Sequence, residues 1–144
     1  MKLAGFIRPF IPNSYYHVYN RGAHHNCIFR EESDYYQFRK IARRFIFRSR
    51  SQIFMRCFCL LPNHFHFLFY QQNPWTISEV MKSMGISYAR FFNQKYGLSG
   101  RVFEQEYQCR YLPTEEIVLR VEKYILENPI RAGLTHWKHC GRVL

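Results

Sequence analysis

The sequence lacks the features of membrane and secreted proteins. No apolar run approaches the roughly 20 residues that a helix needs to span a bilayer, because even the apolar segment 53–70 contains an arginine, a proline, an asparagine and two histidines. Arg8, Pro9 and Pro12 interrupt the stretch where a secretory signal would be apolar. Internal repeats and low-complexity tracts are missing as well. We therefore expect one cytoplasmic domain over residues 1–144, with no membrane role.

Cysteine pairing is equally absent. The five cysteines are an odd number, and none of them forms a Cys-x-x-Cys pair. A secreted domain stapled by disulfides usually carries an even number of cysteines. The pattern indicates reduced, buried thiols at Cys27, Cys57, Cys59, Cys109 and Cys140.

Acidic residues are few. The chain has 10 Asp and Glu against 21 Lys and Arg, which gives a formal net charge of +11. Such a charge on one domain creates a positive field that attracts polyanions. Aromatic residues make up 19%, with 14 Phe and 11 Tyr, and rings can stack on unpaired bases while cations meet phosphates. Composition therefore favours single-stranded or irregular nucleic acid as the partner; a basic protein without nucleic-acid function is the alternative.

The spacing of apolar residues predicts strands that alternate with helices. The order is β-α-β-β-α-β followed by a C-terminal helix, which is the ferredoxin-like split pattern of the α+β class: an antiparallel sheet with helices on one face. We expect the last helix to break at Asn128-Pro129 and Gly133 to cap the next turn. The predicted strands are 15–21, 52–61, 64–70 and 101–112, and the predicted helices are 34–48, 76–96 and 114–126.

The outer face of the first predicted helix is basic. Taken alone, this stripe indicates a solvated helix face and no specific function. Its residues are Arg39, Lys40, Arg43, Arg44 and Arg48.

Two histidines stand in the apolar run PNHFHFLFY, residues 62–70. Residues i and i+2 of a strand point to the same face, so His64 and His66 project together while Phe65 and Phe67 point into the core. Two imidazoles on one face can bind a divalent metal if another element supplies a third ligand. Apolar flanks, a central strand and the surrounding positive charge favour this reading. Core histidines bonded to backbone carbonyls, or histidines on a solvated face, are the alternatives.

A metal-dependent phosphodiester enzyme also needs a nucleophile, and a tyrosine hydroxyl is suitable. The predicted helix 76–96 carries apolar and aromatic residues at i, i+4 spacing, among them Tyr88. Such a stripe is also typical of a helix that packs on a core, so the spacing leaves both interpretations open.

Four blocks together resemble the single-tyrosine HUH transposases of the IS200-like superfamily, and in particular the branch associated with repetitive extragenic palindromes (REP). HUH denotes two histidines around a bulky apolar residue. The blocks occur in the family's order and extend over most of the chain, from about residue 14 to 134. They are YYHVYNRG (15–22), CLLPNHFHFLF (59–69), SYARFFNQKYG (87–97) and YILENPIRAGL (124–134).

The resemblance implies metal-dependent nicking and strand transfer of single-stranded DNA, through a tyrosine that becomes linked to the 5′ end. It implies Mg²⁺ or Mn²⁺ at His64 and His66, Tyr88 in SYARFFN as the nucleophile, and Asn93 as the third metal ligand. One departure from the pattern is that Asn93 follows Tyr88 by five residues, about 140° further round an ideal helix, whereas a shared face requires three or four.

The family's partners are hairpin and single-stranded DNA, bound by a monomer or a homodimer in the bacterial cytoplasm. The candidate phosphate contacts are Arg21, Lys95, Arg101, Arg110 and Arg131. Two alternatives to the tyrosine enzyme remain: a ferredoxin-like module that binds structured nucleic acid without chemistry, and a metal-dependent hydrolase that uses water.

Overall fold

The structure, a computed structural model, describes residues 11–143. The segment before residue 11, on which the prediction of no secretory signal partly rests, lies outside the described residues. A single 3-10 turn, Ala23–His25, follows the first strand. The strands are β1 Ser14–Arg21, β2 Ile53–Leu61, β3 His64–Gln71, β4 Gln108–Leu112 and β5 Cys140–Arg142, and the helices are α1 Glu32–Arg48, α2 Thr76–Tyr96 and α3 Glu115–Arg131.

The five strands form one antiparallel sheet in the order β4-β1-β3-β2-β5. The predicted β-α-β-β-α-β order and the following helix are confirmed. The edge strand β5 was not predicted, since its three residues, CGR, carry no apolar alternation. The strand predicted over 101–112 is shorter than expected and covers only Gln108–Leu112. In the segment before it, Phe103 makes an isolated bridge to Gly22.

The sheet has a packed layer on each face. Helices α1 and α2 cover one face, where Phe65, Phe67 and Phe69 of β3 enter the larger core. Helix α3 covers the other face and packs on Cys59, Leu61 and other residues of the smaller core. The two helices of the split pattern therefore share one face, as predicted, and the additional C-terminal helix covers the other face. Strand alternation explains the result, because both faces of β2 and β3 carry apolar side chains and each needs a cover.

Helix α3 also runs further than predicted. It begins at Thr114, whose side chain accepts a hydrogen bond from the Ile117 amide, and it continues through Pro129 to Arg131. Proline removes the amide that would bond the Ile125 carbonyl, and the Cys140 thiol lies 3.7 Å from that oxygen instead. The predicted break at Asn128-Pro129 is therefore wrong, while Gly133, with φ of 78°, follows the true end.

The described residues match two further expectations in part. All five cysteines are free thiols; Cys57, Cys59 and Cys109 are buried as predicted, whereas Cys140 is half-buried and Cys27 is exposed. Among residues 11–143, no helix combines the length and the apolar character that crossing a membrane requires.

Gly22 occupies the tightest point of the turn after β1. A Cβ atom there would lie 2.1 Å from the Asn26 carbonyl oxygen, which belongs to backbone and cannot rotate away. We predict that Gly22→Ala lowers the free energy of unfolding by about 1–3 kcal/mol. In the control Gly85→Ala, a Cβ inside α2 meets nothing within 4 Å and should raise stability by about 0.5–1 kcal/mol. Urea denaturation measures both, and a Gly22→Ala protein as stable as the wild type would contradict the steric argument.

Candidate active site

Strand β3 presents His64 and His66 to the face of the sheet that α3 covers. Phe65 and Phe67, which alternate with them, lie in the core beneath α1 and α2. His66 is only 6% exposed, and His64 is half-buried at the strand end. The predicted alternation, with the phenylalanines in the core and the histidines on the opposite face, is confirmed.

The hydrogen bonds of the two histidines assign their protons. The His64 Nδ1 lies 2.8 Å from the Asn63 Oδ1, which can only accept, so the proton of His64 is on Nδ1. The Asn128 Nδ2 lies 3.2 Å from the His66 Nε2; an amide nitrogen can only donate, so this Nε2 accepts. Both histidines therefore keep a lone pair on Nε2, and neither ring is tied to a backbone carbonyl.

The other nitrogen of His66 contacts a third histidine. The His66 Nδ1 lies 2.9 Å from the Nε2 of His17 on β1, and the two rings stack with centroids 5.1 Å apart. Since the His66 proton is on Nδ1, it is donated to His17. A hydrogen-bonded chain thus runs from Asn128 on α3 through His66 on β3 to His17 on β1.

Helix α3 places Tyr124 beside the same histidines. Tyr124 precedes Asn128 by four residues, so both lie on one helix face. The Tyr124 ring centroid is 5.9 Å from that of His66 and 6.3 Å from that of His17, and the residue is 48% exposed. The Arg131 guanidinium lies 4.3 Å from the Tyr124 ring centroid and donates to the Tyr124 carbonyl. Tyr124 is therefore a half-exposed ring, held by Arg131, beside two buried histidines.

Burial keeps the histidines uncharged. It lowers the pKa of His17 to about 4, with a further contribution from the Arg110 charge. It also lowers the pKa of His66 well below its ordinary value, and His17, His64 and Arg131 act in the same direction. The pKa of His64 is lowered for the same first reason, burial. At neutral pH all three rings are therefore free bases, the state in which imidazole binds a metal.

The ligand set available here is small. Within the part of the chain that the structure describes, no three His, Cys, Asp or Glu side chains are grouped as a metal site. A cation beside His64 and His66 would therefore need the Asn128 amide, or groups from a substrate, to complete its coordination.

Tyr88 lies elsewhere, and the prediction that it stands beside the histidines is wrong. It is fully buried in the core between α1, α2 and the sheet, on the opposite face from His66. Its hydroxyl donates to the Ile28 carbonyl at 2.5 Å, and burial raises its pKa far above the ordinary value. The alternative reading of the aromatic stripe, a helix face that packs on the core, is the correct one.

Asn93 is also remote from the histidines, so its predicted place in a ligand set is wrong. Its amide donates to the Gly100 carbonyl at 3.0 Å, at the end of α2. In the sequence, the spacing of five residues between Tyr88 and Asn93 already indicated that the two side chains do not share a helix face. Tyr124 and Asn128 have the spacing of four that a shared helix face requires, within the block YILENPIRAGL already singled out.

Two of the five candidate DNA contacts flank the histidines. Arg110 on β4 is directly opposite His17 on β1 in the strand register, and Arg131 covers the Tyr124 ring. Arg21 is opposite His64 in register and forms an ion pair with Glu104 at 2.7 Å, so it stands at the rim.

The other two candidate contacts are engaged elsewhere. Lys95 forms ion pairs with Asp34 at 2.7 Å and with Glu31 at 2.5 Å. The Arg101 Nη1 donates to the Glu104 carbonyl at 2.7 Å. Neither side chain reaches the histidines.

The sequence matches the model of one known protein family. The family model described as "Transposase IS200 like" matches residues 10–128. No curated protein matches the sequence.

Several solved structures share the fold at low sequence identity. One, a REP-associated tyrosine transposase bound to a REP hairpin, has a TM-score of 0.75 at 14% identity, covering 94% of this chain and 80% of its own. A putative transposase from Deinococcus radiodurans R1 gives 0.54 at 17%, with 85% and 95% covered. A bacterial tRNA(His) guanylyltransferase-like protein in complex with GTP gives 0.53 at 13%, with 94% and 75% covered. The fold alone therefore accommodates different activities.

The buried histidines predict a loss of stability in mild acid. The unfolded chain protonates His17 near its ordinary pKa of 6.5, whereas the folded chain does so only near 4. As pH falls from 6.5 toward 4, the unfolded state binds more protons, and unfolding becomes easier by up to about 1.4 kcal/mol per pH unit for each such histidine. Denaturation of metal-free protein across this range measures the slope.

A substitution at His17 tests this assignment. His17→Phe should reduce the slope, leaving the part due to His66. Equal slopes in wild type and His17→Phe would contradict a buried neutral His17.

Proposed function

Because the chain belongs to the IS200-like transposase family, we propose that it cleaves and rejoins single-stranded DNA next to hairpins through a covalent link to Tyr124. The observation that supports this most directly is the meeting of α3 and β3. Tyr124 and Asn128, one helical turn apart, face His66 at 5.9 Å between ring centroids and 3.2 Å between nitrogens. Tyr124 takes the role that the sequence pattern gave to Tyr88.

The residues around His66 fit a divalent cation. His64 and His66 each keep an unprotonated Nε2. The Asn128 amide nitrogen faces the His66 Nε2 at 3.2 Å, so a cation at that lone pair would receive the Asn128 amide oxygen after the amide turns over. A few protein ligands with open positions suit an ion whose coordination is completed by water and phosphate oxygens. When bound, Mg²⁺ or Mn²⁺ would polarise the scissile phosphate. We place Asn128, in place of Asn93, as the third ligand.

Cleavage exchanges one ester bond for another. The Tyr124 hydroxyl oxygen attacks phosphorus and releases its proton to solvent, so a tyrosyl–phosphate bond forms to the 5′ end of the downstream strand. The bond from phosphorus to the 3′ oxygen breaks, and that oxygen takes up a proton to become a free 3′-OH. Since the bond energy is kept in the tyrosyl ester, a 3′-OH from another strand can reverse the attack and join.

Cations surround the point of attack. Arg131 holds the Tyr124 ring by its face, and Arg110 lies across the strand pair from His17. Both stand where they can offset the negative charge that grows on the phosphate oxygens during attack. Arg21 at the rim is ion-paired with Glu104. It can contact a neighbouring phosphate if the phosphate replaces Glu104 as its partner. Lys95 and Arg101, held at the far end of α2, would contact DNA only outside this site.

One chain supplies the whole constellation. The histidines, Tyr124 and Asn128 come from β1, β3 and α3 of the same molecule, which supports cleavage by a single copy. The REP-associated neighbour is bound to a hairpin, and the +11 charge suits a folded DNA substrate. We therefore propose a hairpin with a flanking single strand as the substrate of a monomer.

The two tyrosines can be separated by experiment. With a hairpin oligonucleotide, its single-stranded flank and Mn²⁺, wild type should form a covalent protein–DNA adduct that is seen by denaturing gel. Tyr124→Phe should form none and should keep wild-type stability, because its hydroxyl has no partner among the contacts of the described residues.

Tyr88→Phe is the matched control. It should keep the adduct and lose about 1 kcal/mol of stability through the missing bond to the Ile28 carbonyl. An adduct that survives Tyr124→Phe, or one abolished in folded Tyr88→Phe, would overturn the assignment. Strand cleavage without any adduct would indicate the water-dependent hydrolase, and tight binding without cleavage the binding module.

A further inference from the structure

Helix α1 carries a strongly cationic outer face. Lys40, Arg43, Arg44 and Arg48 are all exposed and, at i, i+3 and i+4 spacing, cover about 140° of the helix surface and about 12 Å of its length. We call these four residues the α1 cationic face. Phe47, 84% exposed, lies within the same arc.

The protein's acidic residues are elsewhere. No Asp or Glu occurs between Asp34 and Glu79. The ion pairs found among residues 11–143 join carboxylates to other cations, such as Arg56, Lys95 and Arg142, and include none of the α1 cationic face. The positive charge of this face is therefore not neutralised by the fold.

The fold does not require this arrangement. Like charges four residues apart, as in Lys40, Arg44 and Arg48, destabilise a helix by a few tenths of a kcal/mol per pair. The Arg44 guanidinium donates to the Ser87 hydroxyl at 3.2 Å, and the Arg44 and Arg48 guanidinium groups lie 5.1 and 5.4 Å from the Phe45 ring centroid. None of these contacts supplies a negative charge. The cations are thus better explained by an external anion.

The chemistry of the face selects among polyanions. Single strands are bound by rings that stack on bases. Helix α1 exposes two rings, Phe47 and Tyr36, and Tyr36 already contacts the His139 ring and the Lys138 ammonium, so Phe47 is the one that stands free of such contacts among the described residues. A membrane-surface helix inserts an apolar face, but Tyr35, Phe38 and Ile41 of α1 are buried in the core. A base-paired duplex presents phosphates and no open base faces, which suits this surface.

We propose that the α1 cationic face binds the phosphate backbone of the paired stem of the DNA substrate. The proposal rests on the proposed function for the identity of that DNA. Since α1 and α3 cover opposite faces of the sheet, stem binding is separate from cleavage at Tyr124. Unpaired nucleotides must pass round the sheet edge to join the two.

Salt dependence tests the contacts. Arg43→Gln/Arg48→Gln keeps the Arg44–Ser87 bond and removes two charges. Its affinity for a hairpin oligonucleotide should fall at least tenfold, and the slope of log K against log salt should decrease by about 1.8, or about 0.9 per phosphate contact. Binding of an oligonucleotide without a stem, and the Tyr124 adduct formed with it, should not change.

The control Arg120→Gln/Arg142→Gln removes the same charge from ion-paired positions on α3 and β5 and should leave the hairpin slope unchanged. Equal slopes for the two double variants would overturn the proposal in favour of a general field effect. The proposal would also be overturned if Arg43→Gln/Arg48→Gln bound the hairpin as the wild type does but lost binding to phosphatidylserine vesicles. That result would indicate that the α1 cationic face binds a membrane surface. Adduct formation on the stemless strand reports on Tyr124 independently of either result.

A second inference concerns His17. Its Nε2 receives the Nδ1 proton of His66 at 2.9 Å, and both residues are buried. A metal-binding histidine usually donates its other nitrogen to a partner that fixes its tautomer and ring orientation. We infer that His17 is a positioning residue that directs the His66 Nε2 lone pair into the site. The inference depends on the proposed metal at His66.

Replacement by residues with and without an acceptor tests this role. His17→Gln retains an oxygen that can accept the His66 proton; His17→Phe retains the ring shape alone. In metal-free protein, ¹⁵N NMR should show His66 protonated at Nδ1 in wild type and His17→Gln, and a mixture of tautomers in His17→Phe. Mn²⁺ affinity should fall by about 10–100-fold in His17→Phe and be largely restored in His17→Gln.

Retention of both the Nδ1 tautomer and Mn²⁺ affinity in folded His17→Phe would overturn the inference. Loss of affinity with an unchanged tautomer would also do so, because it indicates packing and not proton placement. The tautomer of His66 is measured in metal-free protein. The result therefore does not depend on whether Tyr124 is the nucleophile.

Discussion

The arrangement of this site depends on the hydrogen-bonded chain that joins α3 to the centre of the sheet. Asn128, His66 and His17 are each less than 10% exposed, and a buried polar group without a partner is costly. Each of the three side chains therefore depends on its neighbour in the chain for a hydrogen-bond partner. The chain fixes the rotation of α3 about its axis, and Tyr124, one turn from Asn128, is oriented with it. A rotation that removed Tyr124 from the site would leave His66 Nε2 without its donor.

The end of α3 adds a second constraint. Pro129 follows Asn128 directly and leaves the Ile125 carbonyl without an amide donor, and the approach of the Cys140 thiol ties β5 to that point. The short edge strand thus belongs to the support of the site. Beyond it, the Arg131 guanidinium reaches back to the Tyr124 carbonyl and ring. The last turn of α3 is held from both sides, although proline would ordinarily weaken it.

Sequence reasoning recovered the parts that depend on local periodicity. Alternation along PNHFHFLFY correctly placed His64 and His66 opposite Phe65, because a strand's period is fixed by its geometry. It did not identify Tyr124, which the structure places beside the histidines. A helical stripe shows that one face is buried but not which face of the sheet covers it, and α2 and α3 lie on opposite faces. The Tyr124–Asn128 spacing held the necessary information, but the proline after Asn128 made the segment look like a helix terminus.

The two faces of the sheet carry different kinds of side chain. On the α1–α2 side, large rings fill the core, and Tyr88 ends in a bond to backbone. On the α3 side, smaller residues such as Cys59 and Leu68 pack the core and leave room for three imidazoles and a half-exposed tyrosine. Charge follows the same division. Arg110 and Arg131 adjoin the histidines, whereas the α1 cationic face is exposed on the other layer and forms no ion pair with a carboxylate among residues 11–143. The larger core on the α1–α2 side supplies stability that buried imidazoles do not provide. The other face of the sheet can therefore carry uncharged imidazoles with free lone pairs.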